Sequence, residues 1–480
     1  MPTEPTLKEK TAKGLFWGGI SSGVQQLLGA VFGIVLARIL DPSDYGMVGM
    51  LAIFGAIAGT IMDSGFTTAL TNKKEVKHED YNAVFWFALF CGIFFYAVLF
   101  FCAPLIADFY DKPELTNLSR IVFLGILFGG IGYTHNAYLY KNLMAKERAK
   151  IDIFSLLTSN TIGLILALND FAYWGLAIQG ASYIGVGSIL RTYYSPWRPT
   201  MEFNFHPLKE MFGFSSKLLA TNIFQQINFN LFSVILGKFY STAQVGFYSQ
   251  GVKWYNMGNA FLTGMINGVA HPTLAQVQED RDRQIAAFRK LIRFGSFLSF
   301  PAMLGLAFVG EEFILITVGE KWMPAVPFLQ LFCIWGSVYF IYSLYTTLLM
   351  LLERSTAYMY GIILTGVLQL ISCYLMYPFG ILPMVSVYLL IYILSIGGWH
   401  IYVSKLLPVR IKMILKDTLP YLLITLFSFA IAWLAVLNVD NIYLCLLIKV
   451  AVSAAVYIAI MYKTNSVIFK ECVGFVFKKK

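Results

Sequence analysis

Charged residues are scarce in this chain of 480 residues. Asp, Glu, Lys and Arg make up 13% of the sequence, whereas hydrophobic residues make up 58%, and the mean hydropathy is +0.67. In soluble globular domains roughly a quarter of the residues are charged. The composition therefore excludes an ordinary soluble domain and indicates an integral membrane protein.

Cysteine pairs and catalytic motifs are also missing from the sequence. The six cysteines include no CxxC pair, and most lie inside apolar runs, so neither a disulfide framework nor a metal site is indicated. No HExxH motif and no phosphate-binding P-loop occurs. The connections expected on the outer side are short, the longest near 105–116 and 311–324, which weighs against a catalytic loop. We therefore expect no catalytic residues, no metal site and no enzyme activity.

The net charge of +10 has a membrane explanation. If the N-terminus is cytoplasmic, the basic residues collect in segments on the cytoplasmic side, as the positive-inside rule requires. The exceptions among the 36 Lys and Arg residues are Arg38, Lys112, Arg120, Lys238, Lys253, Lys321 and Lys449. This asymmetry predicts that both termini are cytoplasmic. The dispersed positive charges are expected to interact with anionic lipid headgroups, and no nucleic acid partner is expected.

Long apolar runs fill most of the chain. A helix needs about 20 mostly apolar residues to cross a bilayer, and on that criterion the sequence predicts an all-α integral membrane protein with about fourteen transmembrane helices. We assign six helices to an N-lobe at 1–190 and six to a C-lobe at 213–403. A cytoplasmic linker at 191–212 joins them, and a final helix pair with a basic cytoplasmic tail occupies 404–480.

One stretch recurs two hundred residues along the chain. LARILDPSDYGMVGM (36–50) returns as LGKFYSTAQVGFYSQ (236–250), with Gly46 matching Gly246. A repeat at a fixed offset predicts that the same helix-turn-helix unit opens two related lobes. Because each lobe has an even number of helices, both insert the same way up and are related by an axis along the membrane normal. The cleft between these predicted lobes is the expected substrate site.

The order of several blocks along the chain carries a family resemblance. The blocks are LARILDPSDYGMVGM (36–50), DSGFTTAL (63–70), NAVFW (82–86), APLIADFYDKPEL (103–115), GFYSQGVKW (246–254), HPTLAQVQED (271–280) and GEKWMPAVPFLQL (319–331). Together they resemble the polysaccharide flippases of the MOP superfamily, especially the Wzx-type exporters of colanic acid and teichuronic acid. The resemblance implies two six-helix lobes in a V with alternating access, followed by a C-terminal helix pair.

The resemblance also implies the substrate and the location. It implies that the chain moves undecaprenyl-diphosphate-linked oligosaccharide repeat units across the bacterial inner membrane, for lipopolysaccharide, surface polysaccharide or exopolysaccharide synthesis. The expected partners are this lipid-linked oligosaccharide and membrane lipids, with polysaccharide polymerase and export machinery as further candidates. No cofactor is expected, and a proton gradient, a sodium gradient or the membrane potential would drive transport.

Two other functions remain open. A MATE-like exporter of cations or drugs would share the fold, but it would favour acidic residues in the spans, and these are few. A membrane polysaccharide polymerase or ligase is the enzyme alternative, and it would need the long outer loop that the sequence lacks.

Lys253 is the leading candidate for a substrate-binding cation. Burying an ionisable group at membrane depth is costly, so such a residue is a functional hypothesis by default. Lys253, Asn256 and Asn267 belong to a stripe with spacings of three or four residues, so they share one face of a predicted helix. This face could line the cleft and bind the diphosphate. The alternative is that Lys253 extends to the outer headgroups.

Uncharged amides form a second set of candidates. Gln26 in the first span and Gln226 in the seventh are related by the repeat, and Asn222 lies one turn before Gln226. Amides at equivalent positions of both lobes could hydrogen-bond sugar hydroxyls. The alternative is hydrogen bonding between neighbouring helices, which amides also favour.

The remaining candidates lie nearer the ends of spans. Arg38 and Lys238, paired by the repeat, could receive the diphosphate on release or simply anchor the helices at the interface. Tyr133 and His135 could stack on sugars at the inner mouth, or belong to an interfacial aromatic belt. Asp63 could bind the coupling ion, or be a solvated carboxylate at a helix end.

Overall fold

The computed structural model describes residues 7–63, 65–278 and 280–471, without the side chains of 7–16, 68, 72, 210, 212–218 and 355. Within this described part, all regular secondary structure is helical. A helix closes its backbone hydrogen bonds within its own segment, which a chain surrounded by hydrocarbon requires. The predicted all-α fold is therefore confirmed.

The chain divides into two compact units, Met1–Ser249 and Gln250–Lys480. The first unit contains ten helices among its described residues and the start of an eleventh, through Ser249. They are α1 (Leu7–Ile39), α2 (Pro42–Gly49), α3 (Ala52–Asp63), α4 (Phe66–Asn72), α5 (His78–Tyr110), α6 (Leu115–Val122), α7 (Leu124–Lys141), α8 (Ala145–Leu168), α9 (Tyr173–Tyr194), α10 (His206–Phe239) and α11 (Thr242–Gln276).

The second unit contains the rest of α11 and the helices that follow it. They are α12 (Arg281–Ser299), α13 (Gly305–Phe308), α14 (Gly310–Thr317), α15 (Val326–Leu351), α16 (Ser355–Met376), α17 (Ile381–Ser404), α18 (Ile411–Ala435) and α19 (Ile442–Lys463). A π-helical turn at Phe300–Leu304 joins α12 to α13, and 3-10 turns occupy Glu320–Ala325 and Tyr377–Phe379. The division into two compact units does not test the lobe boundaries expected from the sequence, which stay a prediction.

Eleven helical stretches of the described residues are long and apolar enough to cross a membrane. The helices α9, α10 and α11 are not among them, although they have 22, 34 and 35 residues. Their sequences contain glycine, amide and hydroxyl residues, which lower the hydropathy. The chain is thus a multi-pass membrane protein, and the count of about fourteen spans remains a prediction.

The second apolar run is divided into three helices, α2, α3 and α4. The break before α4 lies at Gly65, which has a φ of 71°. Residues with a Cβ rarely adopt this left-handed conformation, so glycine allows the chain to turn there. The apolar pattern alone did not reveal this break, because it reports hydropathy and not backbone conformation.

The repeated hairpin has the same boundaries in both copies. In the first copy α1 ends at Ile39 and α2 begins at Pro42, and in the second α10 ends at Phe239 and α11 begins at Thr242. Each boundary in the second copy lies 200 residues after the matching boundary in the first copy, which is the offset found in the sequence. The repeated helix-turn-helix unit is therefore confirmed.

Two glycines allow the copies to pack against each other within the first unit. A Cβ added at Gly46 would overlap the carbonyl oxygen of Thr242, and one added at Gly246 would overlap the carbonyl oxygen of Pro42. Gly46 and Gly246 are related by the repeat, as are Pro42 and Thr242. The contact is therefore reciprocal, like the interface that a two-fold axis generates in a dimer. Only a residue without a side chain permits so close an approach of two backbones.

Candidate functional site

A cavity of about 420 Å³ lies within the first unit, with walls mainly from α3, α7 and α9 and single residues from α2 and α6. Much of its lining is glycine, with several of these residues three or four positions apart on one helix face. The lining glycines are Gly55, Gly59, Gly125, Gly129, Gly132 and Gly180. A Cβ added at Gly55 or Gly180 would meet no atom within 4 Å, so these two positions open into the cavity, whereas neighbouring side chains fill the space beside Gly125 and Gly132.

Polar side chains also line this cavity. Tyr133 and Asn136 come from α7, and Ser188 and Arg191 come from α9. The Arg191 Nη2 atom lies 3.1 Å from the Asp152 Oδ1 atom, so the guanidinium charge is balanced by a carboxylate. The Ser188 hydroxyl is buried and has no hydrogen-bond partner in the described part of the chain. The side chains of Tyr133 and Asn136 likewise have none among the described residues.

Asp63 is the last residue of α3, directly after Met62, which lines the cavity. The Thr67 hydroxyl donates a hydrogen bond to the Asp63 carboxylate. Within the described residues, no group of three or more His, Cys, Asp or Glu side chains is placed to hold a metal ion. A role for Asp63 in ion coupling stays a prediction.

His135 lies in a different environment from Tyr133. Its side chain is 1% exposed, and neither ring nitrogen has a hydrogen-bond partner among the described residues. The ring centroid lies 6.0 Å from that of Phe85 and 5.2 Å from that of Trp197. The structure therefore separates the two residues predicted to act together: Tyr133 lines the cavity, and His135 is in an aromatic core.

The linker is attached to α5, which the sequence did not reveal. Trp197 donates from Nε1 to His78 Nδ1 at 3.1 Å, and Trp86 donates from Nε1 to the Thr200 carbonyl oxygen at 2.8 Å. Between these bonds, the Thr200 backbone N–H donates to Asn82 Oδ1 at 2.9 Å. The spacing of four between His78, Asn82 and Trp86 was the available signal, because it places all three on one helix face.

The predicted amide residues are only half-buried on their helices. Gln26 of α1 makes no side-chain hydrogen bond to another described residue. On α10, Asn222 and Gln226 are also half-buried, and Asn230 donates from Nδ2 to the Gln226 carbonyl oxygen at 2.9 Å. The side chain of Asn230 thus bonds within its own helix. Gln26, Asn222 and Gln226 remain candidates for substrate contact.

Arg38 and Lys238 differ although the repeat pairs them. Arg38 is exposed. The Lys238 Nζ atom lies 2.7 Å from Asp111 Oδ2 and 5.4 Å from the ring centroid of Phe109. The Asp111 side chain is 79% exposed, so this is a surface ion pair. The contacts favour the anchoring role for Lys238, since its charge already has a partner.

Lys253 belongs to the second unit and is half-buried on α11. Its Nζ atom lies 5.7 Å from the ring centroid of Trp254, and no hydrogen bond or ion pair joins it to a described residue. Asn256 is also half-buried, whereas Asn267 accepts a hydrogen bond from the Ser343 hydroxyl at 3.0 Å. The residues of the predicted stripe therefore fall into two groups with different surroundings. Lys253 and Asn256 keep the capacity for a ligand, and Asn267 joins α11 to α15.

Two ion pairs of the second unit, one buried and one half-buried, were not predicted. Lys449 of α19 lies 2.5 Å from Glu312 of α14, and both side chains are at most 13% exposed. Arg289 of α12 donates to both carboxylate oxygens of Asp417 of α18, at 2.7 and 3.1 Å. These pairs attach the C-terminal helix pair to the rest of the second unit. The signal for the first pair was the presence of Lys449 inside an apolar run, where unpaired charge is costly.

Comparisons with known proteins connect this geometry to a family. A family model described as "Polysaccharide biosynthesis protein" matches residues 35–327. The lipopolysaccharide biosynthesis protein WzxC of Escherichia coli (strain K12) is 28% identical over 337 residues, which are 69% of this chain and 68% of that protein. The succinoglycan biosynthesis transport protein ExoT of Rhizobium meliloti (strain 1021) is 26% identical over 335 residues, 68% of this chain and 66% of that protein.

A solved structure shares the fold. The lipid II flippase MurJ in an inward closed conformation superimposes with a TM-score of 0.77, covering 93% of this chain and 99% of that chain at 16% sequence identity. This likeness confirms the predicted all-helical membrane transporter fold. The family match confirms the predicted relation to the polysaccharide exporters.

Proposed function

This chain belongs to the polysaccharide biosynthesis protein family, and we propose that it is a flippase for lipid-linked oligosaccharide repeat units. The family match over residues 35–327 carries the proposal, because it covers more than half of the chain and includes the repeated hairpin, the cavity and Lys253. The substrate is an undecaprenyl-diphosphate-linked oligosaccharide. The protein acts as a transporter and not as an enzyme.

Transport proceeds by alternating access, and the reciprocal hairpin contact is the outer gate. The predicted topology places the turns at 40–41 and 240–241 on the outer side of the membrane. Close approach of Gly46 to Thr242 and of Gly246 to Pro42 supports a closed gate at this side. When the pathway opens outward, these two turns separate, and the substrate leaves between them.

Each part of the substrate has a matching group. A diphosphate needs a cation, and the Lys253 ammonium has no carboxylate partner in the described part of the chain. Sugar hydroxyls need neutral donors and acceptors, which Gln26, Asn222, Gln226 and Asn256 supply. The lipid tail stays among apolar helix surfaces, since moving it into a polar pathway would be unfavourable.

The orientation follows from the distribution of positive charge. We place the protein in the bacterial inner membrane with both termini cytoplasmic, because basic residues collect in the segments on that side. Substrate is then captured from the cytoplasmic leaflet and released at the outer leaflet. A proton gradient, a sodium gradient or the membrane potential drives the cycle, with Asp63 as the candidate coupling group. Polysaccharide polymerase and export machinery are the proposed protein partners.

Reconstitution tests the proposal. Proteoliposomes with the purified full chain would receive a fluorescent undecaprenyl-diphosphate oligosaccharide built on the host's own repeat unit, and a quencher added outside would report the leaflet. We expect protein-dependent movement of the fluorophore between leaflets, with protein-free liposomes as the control. Absence of movement under imposed proton, sodium and electrical gradients would contradict the proposal.

A further inference from the structure

We propose that the cavity of the first unit binds a neutral sugar residue of the transported repeat unit, an inference that rests on the proposed function. The cavity is lined mainly by three helices of one compact unit, so it does not depend on the predicted cleft. Its volume of about 420 Å³ lies within the range of roughly 300–1,000 Å³ found for small-ligand pockets.

Two polar side chains in this cavity have unused hydrogen-bonding capacity. They are the Tyr133 phenol and the Asn136 amide, which make no hydrogen bond to another described residue. Ser188 also lines the cavity, but its hydroxyl is fully buried against Gly132 and is not accessible to a ligand. Polar groups in folded proteins are normally hydrogen-bonded, so unpartnered phenol and amide groups on a cavity wall indicate a ligand or water that completes them.

The charge in the cavity favours a neutral ligand. Arg191 is the charged residue of the lining, and the Asp152 carboxylate at 3.1 Å balances it. A cationic ligand would meet the guanidinium group, and a diphosphate would compete with Asp152. Sugar hydroxyls can accept from the remaining guanidinium N–H groups and can exchange hydrogen bonds with amide and hydroxyl side chains.

The walls also suit a sugar ring, which has polar edges and less polar faces. The Tyr133 ring provides an aromatic surface beside the polar groups, and the apolar side chains of Met62, Ile126 and Ile184 complete the wall. Gly55 and Gly180, where an added Cβ would meet no atom within 4 Å, let the ligand approach the helix backbones closely. A ligand pocket of this kind is mostly apolar with a few polar groups that fix its orientation.

The position of the polar groups fits capture from the cytoplasm. Arg191 lies in the last turn of α9, the end that the predicted topology places on the cytoplasmic side. Asn136 lies near the C-terminal end of α7, which the same topology also places on that side. A sugar residue entering with the lipid-linked substrate from the cytoplasmic leaflet would therefore meet these groups first.

Variants that fill the cavity test the inference. A Cβ added at Gly180 or Gly55 has no atom within 4 Å, so Gly180→Leu and Gly55→Leu can occupy the cavity without a backbone clash. Gly397 of α17 also has no atom within 4 Å and lies in the other unit, so Gly397→Leu is the matched control. The probe is the free oligosaccharide repeat released by mild acid from the host's lipid-linked pool. Saturation-transfer NMR would measure its binding to the purified full chain in nanodiscs.

We expect Gly180→Leu and Gly55→Leu to weaken binding at least about tenfold, and Gly397→Leu to bind like the wild type. Tyr133→Phe, which removes one hydroxyl, should weaken it about fivefold, as expected for the loss of a single hydrogen bond. The thermal midpoint of every variant would be measured to separate lost binding from lost folding. Because Tyr133→Phe hardly changes the packing volume, it tests the site even if a leucine variant fails to fold.

Two results would overturn the inference. One is equal binding by the wild type and all folded variants, and the other is no binding of the free oligosaccharide to the wild type. The translocation assay on the same wild-type preparation distinguishes the causes. If the wild type moves the lipid-linked substrate, only the proposal of a sugar site in this cavity is contradicted. If it does not, the proposed function fails and the inference fails with it.

Discussion

The two copies of the hairpin keep the same backbone but differ in their charged side chains. Both copies turn at equivalent positions, and both use a glycine where the other copy's carbonyl group approaches. In contrast, Arg38 is exposed, whereas Lys238 is half-buried and paired with Asp111. The shared feature is therefore the close approach of two backbones. The basic residues at matching positions have different surroundings, so they need not have the same role.

The difference indicates where function depends on shape and where it depends on charge. A contact through glycine tolerates no added atom, because each Cβ position is occupied by a backbone carbonyl group. A surface ion pair tolerates change, because water solvates both partners when they separate. Substitutions in the two classes should therefore differ strongly in their effects.

The largest effect is expected from Gly246→Ala. One methyl group overlaps the Pro42 carbonyl oxygen, and overpacking typically costs about 1–3 kcal/mol, which shifts an equilibrium by about five- to a hundredfold. If the contact is the outer gate, closure is impaired and translocation falls by up to about a hundredfold. Gly46→Ala should behave alike. Gly23→Ala, where an added Cβ has no atom within 4 Å, is the control and should keep wild-type transport. Equal rates for all three variants would contradict the gate.

The next effect is expected from Lys253→Ala. A hydrogen bond to a charged group contributes about 1.5 kcal/mol at the low end, which applies to a half-buried side chain, so loss of the ammonium should reduce translocation about tenfold. Lys253→Arg keeps the charge and should retain a larger part of the activity. Both rates would be measured with the same quencher assay. If Lys253→Ala transported like the wild type, the cation would have no role in diphosphate binding.

The amides should have a modest effect. Gln226→Leu and Gln26→Leu each remove one neutral group that we assign to sugar contact, so translocation should fall about fivefold, as for a single hydrogen bond. Asn230→Ala is the comparison, because that side chain donates to the Gln226 carbonyl oxygen at 2.9 Å and to the Gln226 side-chain oxygen at 3.5 Å, so it tests whether the stripe acts by stabilising its own helix. Rates that fall more for Asn230→Ala than for Gln226→Leu would favour a structural role for the stripe.

The smallest effect is expected from Asp111→Asn. The Asp111 side chain is 79% exposed, and exposed ion pairs contribute about 0–1 kcal/mol, less at high salt. Asparagine also tolerates the left-handed conformation of this position, where φ is 55°. Translocation and thermal stability should therefore stay close to wild type. A loss as large as that of Gly246→Ala would show that the two copies also depend on their charges.

The elements that the sequence predicted best are those with a local signal. Apolar length predicted the spanning helices, and the repeated turn predicted both hairpins with matching boundaries. The break at Gly65 was missed, because a left-handed glycine leaves no mark in hydropathy. The cavity was missed for a related reason. Its glycines lie in separate apolar runs, and only the three-dimensional arrangement of α3, α7 and α9 brings them together.

Side-chain partners distant in the sequence were the hardest to predict. Lys253 and Tyr133 could be found individually, since each is a polar group in an apolar run. The pairing of Lys238 with Asp111 depends on a contact across 127 positions, which no local pattern encodes. His135 shows the same difficulty. Its neighbour in sequence lines a cavity, but the packing of Phe85 and Trp197 buries its own ring.

A reversible cross-link tests the gate most directly. A Cβ added at Gly49 lies 3.0 Å from the Ser249 Oγ atom, so Gly49→Cys with Ser249→Cys places two sulfur atoms within disulfide range. Translocation would be measured after oxidation and again after reduction, with each single variant as a control and mass spectrometry to verify the bond. We predict that the oxidised double variant does not translocate and that reduction restores its rate. Equal translocation by the fully cross-linked and the reduced protein would contradict the account.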